Sequence, residues 1–148
     1  MLINEELIVI PVEQKTKEGV IEALAEVALS VGRIADKAQY VAAVLKREEE
    51  YSTAVGFHVA IPHGKTDAVT EPFLMYGRVE KVDWNALDGE PVDHVFMIGV
   101  PEKEAGSTHL QILAKLSRRL MKEEFRSELT EATNAQAIID VLKKNELL

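Results

Sequence analysis

Nine residues, Val92 to Val100 (V-D-H-V-F-M-I-G-V), constrain the fold more than any other segment. The run is strongly apolar, rich in β-formers and halted by Pro101, so it reads as the central strand of a sheet. It falls far short of the roughly 20 apolar residues needed to cross a bilayer, and no other run comes closer, so direct membrane insertion is not expected. Segments with helical periodicity lie before and after it. Thr16 is placed to cap a helix running to Ser30, with Gly32 as its stop and Val20, Ile21, Leu24, Val27, Ala28 and Val31 on one face. Asp36, followed by Gln39, has the form of a capping box and opens a second helix to about Glu49, with Tyr40, Val41, Val44 and Leu45 inward. Its end, Glu48-Glu49-Glu50, is poorly matched to the negative end of a helix dipole.

Further strands are expected at Val55 to Ile61, at Phe73 to Val79 and, briefly, at Lys81 to Trp84 before a turn at Asp88-Gly89. Leu7 to Val12 has the look of a short edge strand. The last third is helical, with segments at about Ser107 to Met121 (Leu110, Leu113, Ala114, Ser117 and Leu120 on one face), Glu123 to Glu131 and Asn134 to Lys144. Helices bracket strands on both sides. The expected fold class is therefore α/β, a mixed β-sheet flanked by helices on both faces, and the 148 residues are expected to form a single domain.

Composition removes several functions. A net charge of −8 argues against nucleic acid as the main partner and suits a basic protein instead. The chain has no cysteine, which excludes disulfides and thiolate chemistry and fits the cytoplasm. No secretory signal is visible at M-L-I-N-E-E-L.

The chemistry concentrates in G-F-H-V-A-I-P-H-G-K-T-D, Gly56 to Asp67. Pro62 is expected to stop the preceding strand and leave His63 at its exit, on a rigid support. Gly64 then removes a neighbouring side chain, giving a bulky partner room to approach the imidazole. Histidine, with a reference pKa of about 6.5, is largely neutral and nucleophilic at pH 7. The plain alternative is a turn histidine with no role. Gly64-Lys65-Thr66 resembles the tail of a phosphate-binding loop, but Val59 stands where that pattern requires glycine. Neither a G-x-S-x-G elbow nor an H-E-x-x-H is present. His63, His109 and a carboxylate could hold a metal, yet nothing in the spacing fixes a third ligand. His58 and His94 read as structural. His109 follows the central strand, in G-S-T-H-L-Q-I-L, where sites are favoured in α/β sheets. Arg47 is by default a surface charge, although its forked donors suit phosphoryl oxygens.

Ala60-Ile61-Pro62-His63-Gly64, with Gly56 ahead of it, resembles the signature of enzyme IIA of the bacterial sugar phosphotransferase system, fructose/mannitol type. Leu45-Lys46-Arg47-Glu48 resembles the family's L-x-R-E. Asp88-Gly89-x-Pro91-Val92 with the strand after it, and His109-Leu110-x-x-Leu113-Ala114-x-Leu116, match its later segments. The resemblance covers nearly the whole chain. It implies a phosphoryl relay in which Nε2 of His63 takes the group from the phosphocarrier HPr and passes it to a cysteine of enzyme IIB, for sugar uptake through membrane enzyme IIC. It further implies Arg47 and His109 as groups that stabilise the phosphoryl oxygens, an acceptor for the proton on Nδ1 of His63, and no metal or cofactor. Ser52 and Thr53 are weaker candidates as hydroxyl donors. The glycine after His63 and the D-G-x-P-V segment favour the sugar branch. A regulatory, nitrogen-branch member acting through phosphorylation-dependent protein binding is the alternative, and a binding domain without catalysis is a third.

Overall fold

The computed structural model describes residues 2–104 and 110–148. Among the described residues run six strands and five α-helices: β1 (Ile8–Val9), α1 (Lys17–Ser30), α2 (Lys37–Glu50), β2 (Ala54–Gly56), β3 (Val59–Ala60), β4 (His63–Lys65), β5 (Phe73–Val82), β6 (Val92–Val100), α3 (Leu110–Leu120), α4 (Glu123–Glu131) and α5 (Ala135–Lys144). The strands form one mixed sheet in the order β1-β5-β6-β3-β2, with β4 also paired to β6. The apolar run at 92–100 is the central strand, antiparallel to β5 and parallel to both β3 and β4.

Alternation along β5 shows how the sheet is covered. On one face, the Phe73 ring meets Tyr40 of α2 at 5.6 Å between centroids, and Gly77 leaves room for Leu24 of α1. On the other, Arg78 donates to the carbonyls of Leu129 and Ala132 at the end of α4, at 2.6 and 2.8 Å. Helices therefore lie on both faces, and strand residues such as Phe73, Tyr76, Phe96 and Met97 are fully buried between them. The helix caps follow from local chemistry. Thr16 accepts from the Gly19 amide at 3.0 Å, Asp36 from Gln39 at 3.0 Å and Asn134 from Ala137 at 2.9 Å, each satisfying an amide that lacks an intrahelical partner.

Several strand expectations need correction. The segment expected as one strand from Val55 to Ile61 is instead a tight hairpin, β2 and β3, turning at Phe57 and His58 with φ of 57° and 65°. Two successive residues in the left-handed region match the twist of a two-residue hairpin, normally an Asn-Gly task. Here the turn is held from outside: the Arg126 guanidinium lies 3.9 Å over the Phe57 ring, and Nδ1 of His58 bonds the Pro91 carbonyl at 2.9 Å. Nor does Pro62 end the strand. It only interrupts it, because its carbonyl still accepts from Ile98 at 3.0 Å and pairing with β6 resumes at His63. The two strands expected at 73–79 and 81–84 are one, β5, bulged between Arg78 and Val82 with Lys81 at φ 51°. The N-terminal edge strand is real but short, Ile8–Val9. In α3 the inward stripe is Leu116 and Leu120, with Ile112 and Leu113 packed beside them, while Ala114 and Ser117 face out and Leu110 is exposed. Leucines at 110, 113, 116 and 120 fit more than one stripe, so periodicity alone chose the wrong phase.

Candidate functional site

Helix α2 and strand β4 make the site together. Gln39 does not close a capping box. Its amide instead reaches Thr66 Oγ1 at 2.8 Å, tying the start of α2 to the residue after β4. Gly64 has a different use from the one expected. A Cβ there would stand 3.0 Å from Cγ2 of Val44, 3.4 Å from Cε1 of Tyr40 and 3.5 Å from Cβ of Ala43, so the glycine lets β4 lie directly against α2 instead of admitting a partner. His63 is thereby set beside the last turns of that helix.

The His63 ring is partly buried, and its Nδ1 bonds the Ile61 carbonyl at 2.8 Å. A carbonyl only accepts, so Nδ1 carries the proton of the neutral ring and the in-plane lone pair falls on Nε2. Burial pushes the His63 pKa below its ordinary value. The Ile61 bond pulls it up, the Arg47 charge pushes it down, and Glu48 and Glu50 pull it up again, but burial prevails. At neutral pH the ring is an uncharged base with a nucleophilic nitrogen.

His63 opens on a cleft of about 690 Å³ whose lining includes Lys46, Arg47, Glu50, Lys65 and Leu110. Arg47 and His63 are thus brought together, as the sequence suggested. Arg47 donates to the Tyr51 carbonyl at 3.0 Å and its guanidinium lies 4.2 Å over the Tyr51 ring, so the cation is held in place before any anion arrives. Lys46 and Lys65 add two cations that sequence reasoning did not place in the site. The signal for Lys65 was its position two residues after His63, on the same side of β4. His109 lies outside the described residues.

Other candidates go elsewhere. Ser52 Oγ donates to the Trp84 carbonyl at 2.5 Å, and Thr53 Oγ1 donates to the Glu48 carboxylate. Neither hydroxyl lines the cleft. His58 sits in the hairpin turn. His94 is buried beneath α4, with Nδ1 2.6 Å from the Tyr76 hydroxyl. Burial first, then the Arg78 charge, push its pKa down to about 4. Among the described residues no group of three or more His, Cys, Asp or Glu is placed to hold a metal, and no helix is long and apolar enough to cross a membrane. What the cleft offers is a neutral imidazole of fixed tautomer beside three cations, Lys46, Arg47 and Lys65, which outnumber the carboxylates Glu50 and Glu102 and suit it to taking an electrophilic phosphorus and holding its anionic oxygens.

Comparison with known proteins finds likenesses over nearly the whole chain. The family model described as the phosphoenolpyruvate-dependent sugar phosphotransferase system, EIIA 2, matches residues 1–145. The fructose-specific EIIA component of the phosphotransferase system of Haloferax volcanii is 46% identical over 138 residues, covering 93% of this chain and 89% of that protein. The fructose-specific EIIABC component of Bacillus subtilis is 40% identical over 146 residues, which is 98% of this chain but 23% of the longer protein. Among solved structures, the nitrogen regulatory protein IIA-Ntr of Neisseria meningitidis superposes with a TM-score of 0.86 at 28% identity, over 95% of this chain and 96% of that one.

Proposed function

The chain belongs to the EIIA type 2 family of the phosphoenolpyruvate-dependent sugar phosphotransferase system, and on that premise we propose that it carries a phosphoryl group on His63 from the phosphohistidine of HPr to enzyme IIB. The observation that carries this reading is the bond from Nδ1 of His63 to the Ile61 carbonyl, made inside a cleft that also holds Arg47. It leaves Nε2 as the nucleophile.

The transfer balances without a further reactant. The Nε2 lone pair forms a bond to phosphorus while the donor's N–P bond breaks. The donor imidazole, protonated on its other nitrogen, leaves neutral with the bonding pair. His63 keeps its Nδ1 proton on the Ile61 carbonyl and becomes the phosphorylated imidazolium. Arg47 meets the phosphoryl oxygens, and His109 is the second group assigned to them. Such a step depends on positioning and charge stabilisation more than on covalent help, so a cation already held in place, as Arg47 is by Tyr51, is the assistance it requires. In the onward step a cysteine thiolate of enzyme IIB attacks phosphorus and the N–P pair returns to Nε2.

The reading places residues 1–148 in one cytoplasmic domain serving sugar uptake with membrane enzyme IIC. The Haloferax volcanii relative supports a fructose-type system. A second reading, regulation through phosphorylation-dependent protein binding, draws on the likeness to IIA-Ntr of Neisseria meningitidis.

Incubation with enzyme I, HPr and phosphoenolpyruvate, followed by intact-mass and site-mapped analysis under mildly alkaline conditions, tests the assignment. An acid-labile phosphate on His63 is expected, and none on folded His63→Ala. Acceptance retained by that variant would overturn the assignment. Transfer onward to a IIB cysteine separates transport from regulation.

A further inference from the structure

The acidic run at the end of α2 contains a residue that does not behave as surface charge. Glu48 is 6% exposed and lies on the buried stripe of Val41 and Val44, where an apolar side chain would serve stability alone. Burying a carboxylate is costly unless hydrogen bonds and an opposite charge compensate. Its nearest cation, Lys17 Nζ, stands at 3.8 Å and also donates to Asn85. The closer partners are both on Thr53: the amide at 3.1 Å and the hydroxyl. That hydroxyl also accepts from Trp84 Nε1 at 3.3 Å, so its own proton is directed at Glu48.

Thr53 in turn touches the strand that carries the nucleophile. Its carbonyl accepts from the Ile61 amide at 3.0 Å, and the carbonyl of Ile61 is the one that accepts from Nδ1 of His63. The same short turn carries the Tyr51 carbonyl that holds Arg47. One buried carboxylate therefore fixes a turn on which the orientation of both His63 and Arg47 depends.

We propose that Glu48 is a positioning residue for phosphoryl transfer at His63, acting through Thr53 and Ile61 to set the tautomer and aim of the imidazole. This rests on the phosphocarrier reading. Glu48 touches neither phosphorus nor its donor. Its role is to keep the Ile61 carbonyl where Nδ1–H must point, so that the lone pair stays on Nε2.

Three variants of the full chain test it: Glu48→Ala, Glu48→Gln and Thr53→Val, each checked for folding by circular dichroism and thermal melting. The readouts are the nitrogen-15 spectrum of the His63 ring, which reports its tautomer, and the single-turnover rate of acceptance from phosphorylated HPr. In Glu48→Ala and Thr53→Val we expect mixed tautomers and acceptance slowed roughly tenfold or more, as for other losses of nucleophile alignment. Glu48→Gln, which keeps an oxygen for the Thr53 amide, should recover part of both. A wild-type tautomer and rate in folded Glu48→Ala and Thr53→Val overturn the inference. If Glu48→Ala does not fold, Thr53→Val decides alone. Should the wild-type chain take no phosphate from phosphorylated HPr, the phosphocarrier reading fails, while the ring spectra still report whether Glu48 sets the tautomer.

Discussion

His63 and Arg47 are separated by sixteen positions in sequence and share one cleft in space, where the Arg47 charge disfavours protonation of the imidazole. Removing Arg47 has two opposed effects. It relieves a force that lowers the His63 pKa, and it strips the phosphoryl oxygens of a preset donor. The second should dominate, because a preorganised donor in such a site is worth roughly 100-fold or more in rate. Arg47→Ala is therefore expected to slow acceptance by about that factor and shorten the lifetime of the phosphorylated form; unchanged kinetics would remove Arg47 from the site. The pH profile is a separate check. His63 is active as the neutral base and burial lowers its pKa. Acceptance should then hold steady as pH falls through 6.5 and decline only below it, once the donor's own titration is divided out. An inflection at or above the ordinary histidine value would contradict the burial argument. The residues themselves were largely legible. His63 stood out for its Pro and Gly neighbours and Arg47 for its motif. Glu48 was passed over because the three glutamates register only as a poor match to the helix dipole; its signal was its spacing from Val41 and Val44, which puts a carboxylate on a core stripe.

Elements were readable where their ends are written in side chains. Thr16, Asp36 and Asn134 each cap the helix that follows; α4, whose Lys122 makes no side-chain cap, was legible from its pattern alone. The hairpin at Phe57-His58 was not readable, because Phe-His is not a usual two-residue turn pair and the forces holding the turn come from Arg126 and Pro91, distant in the chain. Arg78 plays a comparable long-range part for α4. Its Nη2 satisfies two carbonyls at that helix's end and its Nε donates to the Tyr76 hydroxyl at 2.7 Å. Arg78→Ala is expected to cost about 2–3 kcal/mol in urea unfolding, given the charge-assisted bonds lost and the carbonyls left behind. Hydrogen exchange should rise in α4 before it rises in β6. Uniform exchange across both would mean that Arg78 supports the sheet as a whole, not the helix end.

For the whole molecule, His94 links acidity to stability. It stays neutral when folded, with a pKa of about 4, against about 6.5 in the unfolded chain. A base whose folded pKa is depressed contributes its full share above the unfolded value, and that share is lost as pH falls. The loss begins near pH 6.5, is complete near pH 4, and amounts to something on the order of 3 kcal/mol. His63, lowered in the same direction, adds to it. Urea midpoints measured from pH 7 down to 4.5 should fall accordingly, and the fall should be shallower in His94→Gln. Equal slopes in the two proteins would show that other groups govern acid sensitivity. The global fold was legible from one apolar run between helical segments. The hairpin was not, and neither was the resumption of pairing with β6 beyond Pro62, which is a property of the assembled sheet.

The group that accepts the hydrogen bond from Nδ1 of His63 belongs to the main chain. No codon change deletes a carbonyl. A library that replaces every side chain in turn would recover the nucleophile, its cations and the residues behind them, yet would score the atom that selects the reactive nitrogen as silent. Such a contact is inherited with the path of the backbone, and the amide joining Ile61 to Pro62 can be altered only by chemical synthesis, for instance by weakening its oxygen as an acceptor.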